Sequence, residues 1–250
     1  MRASQALVER VRQVSADLVQ ADLAVEPALM QLKAGQGLLV RPHQQVGWEP
    51  YLRELWLPVD IRPGRLTVEL SSSWLPVPGD VLDVLSPVGR PIPVRPRLQH
   101  LLLITEDALP TPFILLARTL SGGGVAITLV LSGLAARYPL ELLSPEVEIV
   151  RGDLDWPWPE QVQTLQWADQ VLVLAPHYRQ AEVYARWLDR VQQVRPDAVA
   201  DHFVCGLFYD RLACGAGACG ACEVPTRDRD KPWLACTDGP AVDLRKVMFL

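Results

Sequence analysis

The sequence has little of several things, and each shortage excludes a class of protein. No apolar run approaches the length of a bilayer crossing, so no membrane span is expected. The opening residues, Met1-Arg-Ala-Ser-Gln-Ala-Leu-Val-Glu9, lack the apolar core of a secretory leader, so no export signal is expected. Basic residues form no stripe and the formal net charge is −5, which argues against nucleic acid as a partner. Histidine is scarce, with 4 in the chain and none near its cysteine-rich run. What is present in quantity is apolar: 49% of the 250 residues are hydrophobic, enough for real cores in one large or two to three small domains. A soluble, cytoplasmic protein is therefore expected.

Five cysteines are present, and four of them fall into a pattern. Cys214, Cys219 and Cys222 lie in Ala213-Cys-Gly-Ala-Gly-Ala-Cys-Gly-Ala-Cys222, and Cys236 comes from a separate segment. The spacing C-x4-C-x2-C…C is the plant-type arrangement for a [2Fe–2S] cluster held by four thiolates. Between the first three cysteines stand only glycine and alanine, so a short loop can wrap closely and aim its N–H groups at sulfur. Such N–H groups favour the added negative charge of a reduced cluster and help set its potential. A zinc ribbon needs two C-x2-C pairs or cysteines joined by histidines, and this run has neither. Bridges between cysteines three apart are strained, which disfavours a disulfide set. Another metal, or free thiols, remains the alternative. Cys205 falls outside the spacing and reads as a packed thiol.

The chain divides into three zones. Residues 1–97 look β-rich, with strand-length runs at Gly37–Arg41, Leu66–Leu70 and Val81–Leu85 separated by Pro–Gly turns. Such closely spaced strands predict a barrel or sandwich. At the start, Leu7, Val11, Val14 and Leu18 recur at helical spacing, while Leu23 and Val25 alternate as in a strand. Periodicity alone therefore favours a helix there. Residues 98–200 alternate strand and helix: strands at His100–Ile104, Val125–Leu131, Val147–Val150 and Gln170–Leu174, helices at Pro112–Leu120 and about Tyr178 to Val194. This alternation predicts a parallel sheet with helices on its faces. Gly122-Gly-Gly124 reads as a connecting turn, and Asp155-Trp-Pro-Trp-Pro159 as a rigid aromatic loop packed at the sheet edge. Residues 201–250 carry the cysteines and a tail short on periodic structure, where a cluster substitutes for a hydrophobic core.

At this point the chain resembles a family, the electron-transfer subunit of type B dihydroorotate dehydrogenase within the ferredoxin-reductase superfamily. The resemblance rests on the cysteine run together with Ala235-Cys-Thr-Asp-Gly-Pro240, similar to the family's C-x-D-G-P. It rests also on Pro78-Gly-Asp-Val-Leu-Asp-Val-Leu-Ser-Pro-Val-Gly89, like the family's G-D-x-L-x-V-x-G-P-L-G barrel segment, and on Ala34-Gly-Gln36, like its P-G-Q. It implies an antiparallel FAD-domain-like β-barrel over 1–97, an NAD-domain-like α/β unit over 98–200 and a small [2Fe–2S] module over 201–250. It implies barrel strands at the N-terminus, against the helical period. The function implied is electron relay in pyrimidine biosynthesis, from a flavin-containing catalytic partner subunit through a [2Fe–2S] cluster on Cys214, Cys219, Cys222 and Cys236 towards FAD and NAD, in a hetero-oligomer.

The chain departs from the family where nucleotides bind. The family's R-P-[FY]-S run aligns with Tyr51-Leu-Arg-Glu-Leu-Trp-Leu57, which sets Glu54 and Leu57 at the arginine and serine positions. Arg53, one position away, is the candidate FAD contact. The family's glycine-rich phosphate turn aligns with Thr105-Glu-Asp-Ala-Leu-Pro-Thr-Pro112, which has no glycine and two carboxylates, Glu106 and Asp107. The family's C-G-P aligns with Leu174-Ala-Pro-His177, whose histidine reads as a surface loop residue. NAD binding is therefore not expected. The residues leave three readings: a working electron-transfer subunit with divergent FAD contacts, a flavin-free [2Fe–2S] relay or docking subunit of another oxidoreductase complex, or an assembly module whose cluster only staples the tail.

Overall fold

The computed structural model describes all residues except 17, 44–51, 71–73, 153–157, 159, 197–199, 229–230 and 250. The chain forms two compact units, and each is discontinuous in sequence. One comprises Met1–Ile92, Arg211–Cys222 and Leu234–Pro240; the other comprises Pro93–Asp210, Glu223–Trp233 and Ala241–Leu250.

The first unit is built on the strands β1 (Arg2–Ser15), β2 (Leu18–Val25), β3 (Gly37–Pro42), β4 (Glu54–Arg62), β5 (Arg65–Leu70) and β6 (Val81–Val88). These six antiparallel strands close into a barrel in the order β1-β2-β5-β4-β3-β6. Alternation explains the inward face: Val19, Ala21 and Leu23 of β2, Leu66, Val68 and Leu70 of β5, and Leu82 and Val84 of β6 pack around Trp56 of β4. The opposite face of β2 and β5 is buried too, and there the side chains are polar and matched. Gln20 donates to Glu69 at 3.0 Å and Thr67 donates to Asp22 at 2.8 Å.

The N-terminal stretch is strand, as the family resemblance implies and the helical period does not. The reason lies in the ladder. β1 pairs with β2 from Ala6 to Ser15, and the register shifts between Val8 and Arg10 and again between Gln13 and Ser15. Each irregularity moves the next residues to the other face, so the apolar residues fall at mixed spacings that mimic a helix.

The second unit holds a sheet of six strands: β7 (His100–Glu106), β8 (Ala126–Ser132), β9 (Val147–Arg151), β10 (Gln170–Leu174), β11 (Val204–Leu207) and β14 (Ala241–Asp243). Their order is β14-β11-β10-β7-β8-β9. All neighbours are parallel except β14, which runs antiparallel to β11. β12 (Glu223–Val224) and β13 (Trp233–Leu234) pair as a two-stranded sheet. The helices are α1 (Thr111–Ser121), α2 (Gln161–Trp167) and α3 (Gln180–Val194). Gly122 to Gly124 form the turn from α1 towards β8, as expected. Of the aromatic loop, only Trp158 lies among the described residues. It is buried and stacks on Trp187 of α3 with centroids 5.6 Å apart.

The tail is more ordered than its sequence pattern implies. β11 and β14 carry four and three residues, too short to display a period, yet they complete one side of the sheet. The strand order places a topological switch beside β7. The β7–α1–β8 connection runs to one side of β7, and β10 returns to the other. In open α/β sheets, ligands bind outside the carboxyl ends of the strands at such a point.

Candidate metal centre

All four candidate ligands, Cys214, Cys219, Cys222 and Cys236, belong to the first unit. Cys222 and Cys236 are buried, Cys214 is half-buried and Cys219 is exposed. The thiols associate in two pairs. Cys219 donates to Cys214 with sulfurs 3.3 Å apart, and Cys222 and Cys236 share a hydrogen bond. Among the described residues, no three His, Cys, Asp or Glu side chains stand in one closed metal-holding group.

The donor set and its cradle nonetheless fit a cluster. The Ala216 N–H donates to Cys214 Sγ at 3.5 Å, and the N–H groups of Cys219 and Ala218 also face that sulfur. Burial alone would raise the Cys214 thiol, but these N–H groups and the Cys219 thiol outweigh it and hold Cys214 down at about 6. A thiolate, the form that ligates metal, is thus favoured at neutral pH. Burial pushes Cys236 up to about 12, aided by the hydrogen bond to Cys222 and the charges of Cys222 and Cys214. A bound metal ion would offset such charge between neighbouring thiolates.

Two features hold the cradle on the barrel. Gly215 has φ +66°, and a Cβ there would lie 2.8 Å from Leu39 Cδ1 and 3.1 Å from Val88 Cγ2. The loop therefore lies against β3 and the end of β6 at a distance only glycine permits. The segment bearing Cys236 is tied to the residues after β6. The Gly89 N–H donates to the Cys236 carbonyl at 2.9 Å, Arg90 Nε donates to the Thr237 carbonyl at 2.7 Å, and the Arg90 N–H donates to the Gly239 carbonyl. Sequence reasoning missed Arg90. Its one sequence signal was its place directly after Gly89, the last residue of the barrel motif. Cys205 belongs to the second unit, fully buried in β11, where burial pushes its thiol far up, as suits a packed thiol.

Arg53 stands just before β4, and its Nη1 donates to the Asp83 carbonyl at 3.0 Å. Around Asp83 gather Arg41, at 3.6 Å, and His43, whose Nδ1 is 2.7 Å from Oδ1. Burial lowers the Arg53 guanidinium below its ordinary value, and the nearby Arg41 adds to this. Arg53 thus bonds the Asp83 backbone, while Arg41 and His43 engage its carboxylate. Glu54 opens β4 two residues before the core Trp56, on the same strand face, and accepts from Trp56 Nε1 at 3.3 Å. Tyr51 of the aligned run lies outside the described residues.

In the second unit, Glu106 ends β7 and is buried, and Asp107 comes next with φ +52°. Neither carboxylate is free. Trp187 Nε1 donates to Glu106 Oε1 at 2.6 Å, Arg186 donates to Glu106 Oε2 at 2.5 Å, and Arg179 pairs with Asp107 at 2.9 Å. His177 is exposed, as the sequence implied, in a single turn of 3-10 helix before α3.

Residues 210–248 match the family model for the iron–sulfur cluster binding domain of dihydroorotate dehydrogenase B. The chain is similar to that enzyme's iron–sulfur electron-transfer subunit, on a ferredoxin-reductase fold. Structural similarity extends over the whole chain. A chain of the NADH-dependent reduced ferredoxin–NADP oxidoreductase, a flavin-based bifurcating enzyme, superposes with TM-score 0.69 at 17% identity, covering 98% of this chain and 90% of that one. The ferredoxin reductase of carbazole 1,9a-dioxygenase superposes with TM-score 0.55 at 16% identity, covering 81% and 68%. Phthalate dioxygenase reductase, which transfers electrons from pyridine nucleotides to [2Fe–2S], gives TM-score 0.56 at 16% identity, covering 81% and 66%. Among curated proteins no sequence match was found. No helix among the described residues is long and apolar enough to cross a membrane.

Proposed function

We propose that Cys214, Cys219, Cys222 and Cys236 hold a [2Fe–2S] cluster and that the chain serves as a one-electron relay docked to a flavin-containing catalytic subunit, in a cytoplasmic hetero-oligomer. When bound, such a cluster supplies a one-electron redox centre. The observation that carries the reading is the N–H cradle around Cys214, in a loop packed against β3, together with the ties of Gly89 and Arg90 to the segment that bears Cys236. The chain's own residues supply four thiolates, N–H dipoles that offset added negative charge, and the rigid support of the barrel. In this reading residues 1–97 act as the FAD-type barrel with Arg53 as the flavin-nucleotide contact, 98–200 as the α/β unit and 201–250 as the cluster segment. The match to the dihydroorotate dehydrogenase B domain supports dihydroorotate oxidation, in pyrimidine biosynthesis, as the partner's chemistry.

A second reading, a flavin-free relay or docking subunit of another oxidoreductase complex, is favoured by Glu54 at the aligned pyrophosphate position, where a carboxylate repels phosphate. Purification without oxygen, with assay of iron, acid-labile sulfide and released flavin, separates the two. Iron and sulfide with stoichiometric FAD support the first reading. Iron and sulfide without FAD, even after soaking in excess flavin, support the second. Cys219→Ser abolishes the cluster's absorbance and paramagnetic signal in either case. An unchanged signal in that variant sinks the ligand assignment.

A further inference from the structure

The crevice outside the carboxyl ends of β7 and β10 is where the strand order of the second unit would place a dinucleotide. In this chain that crevice is crossed by side-chain ion pairs. Glu106, at the end of β7, accepts from Arg186 and Trp187 of α3. Asp107 accepts from Arg179 Nη1 at 2.9 Å through Oδ2, and from the Leu134 N–H at 3.2 Å through Oδ1. Glu182 joins both arginines, at 3.3 Å from Arg179 and 3.2 Å from Arg186. Three carboxylates thus share two guanidiniums, a net charge of −1 at the place where two phosphates would have to enter.

We propose that this cluster is an ionic clamp that closes the switch-point crevice to dinucleotides, with Arg179 and Arg186 as latent phosphate ligands committed to internal carboxylates. The clamp works in two ways. It consumes the fork-shaped donors that phosphate recognition requires. Its excess negative charge, partly shielded from solvent around Glu106, repels an incoming polyphosphate. Burial alone would lower the Arg179 guanidinium, but its hydrogen bonds to Asp107 and Glu182 hold it above its ordinary value, as expected of a fully engaged cation. The α/β unit then acts as a rigid support rather than a nicotinamide site. This holds whether or not the four cysteines carry iron, so its failure is separable from that of the relay reading.

The test is calorimetric titration of the full, cluster-loaded chain with NADH and with inorganic pyrophosphate. Neither is expected to bind up to about 1 mM, the upper range of ordinary enzyme–substrate constants. In Glu106→Gln/Asp107→Asn the balance becomes two guanidiniums to one carboxylate, and pyrophosphate affinity rises by about tenfold or more. If the double variant loses its fold by circular dichroism, Asp107→Asn alone serves. Asparagine tolerates the left-handed backbone at 107, and the freed Arg179 gives a smaller gain of the same sign. NADH binding to the unmodified chain at micromolar concentration overturns the proposal. So does a folded variant whose affinity for pyrophosphate equals that of the unmodified chain.

Discussion

One methyl group at residue 215 probes how the thiol loop meets the barrel. Alanine there must hold φ +66° and place its Cβ 2.8 Å from Leu39 Cδ1. The left-handed backbone alone costs about 1–2 kcal/mol. Gly220 has a similar φ, +69°, but nothing stands within 4 Å of its Cβ position. Gly215→Ala is therefore expected to lower both thermal stability and iron content per chain, and Gly220→Ala to lower stability less and keep its iron. Equal iron loss in the two variants means that packing on β3 does not shape the loop. Asp243 gives a second prediction of this kind. Burial alone would raise its carboxyl, but the Arg245 guanidinium and the N–H groups of His202 and Arg245 hold it below the usual carboxylate range. A depressed value in the folded state adds stability above the unfolded value, about pH 4, and that contribution is lost as pH falls below it. In urea unfolding, Asp243→Asn is expected to cost about 1.5–3 kcal/mol at pH 7, the worth of charge-assisted hydrogen bonds. The gap from the unmodified chain closes in acid below about pH 4. A gap that persists unchanged there refutes the assignment.

At the scale of elements, legibility tracked length and regularity. β7, β8 and β10 are largely apolar runs buried at every residue except the first of β7 and of β8, and such runs announce themselves. α3 announced itself through Val183, Trp187, Leu188 and Val191 on one face. β1 misled because its bulges scramble the two-residue alternation. β11 and β14 were silent because strands of four and three residues contain no period, and their pairing at Cys205↔Asp243 joins residues distant in sequence. The candidate site divides along the same line. Cysteine spacing is local chemistry and was readable, whereas the support given by Gly89 and Arg90 to the segment of Cys236 is a long-range contact and was not. The clamp on α3 was half legible. Arg179, Glu182 and Arg186 stand at i, i+3 and i+4 spacings that pair on a helix surface, but their engagement with Glu106 and Asp107 needed the fold.

At the scale of the whole molecule, metal affinity and folding are linked through whichever unit holds the thiols. Stripping iron with a chelator is expected to raise amide exchange in Arg211–Cys222 and Leu234–Pro240 and to leave the buried strands β7, β8 and β10 protected. Uniform loss of protection across the chain means that iron stabilises the molecule globally instead. The discontinuity of the first unit also orders events in time. A ribosome delivers residues from the N-terminus at about 5–20 per second. β1 pairs with β6 through Arg2↔Ser86 to Leu7↔Val81, so the earliest strand waits with one open edge until the sixth emerges. The whole stretch Pro93–Asp210 is then made before the first of the four thiols appears. A nascent chain paused at residue 210 carries a complete set of barrel strands and none of those thiols, so iron delivery has to follow synthesis of the whole stretch Pro93–Asp210.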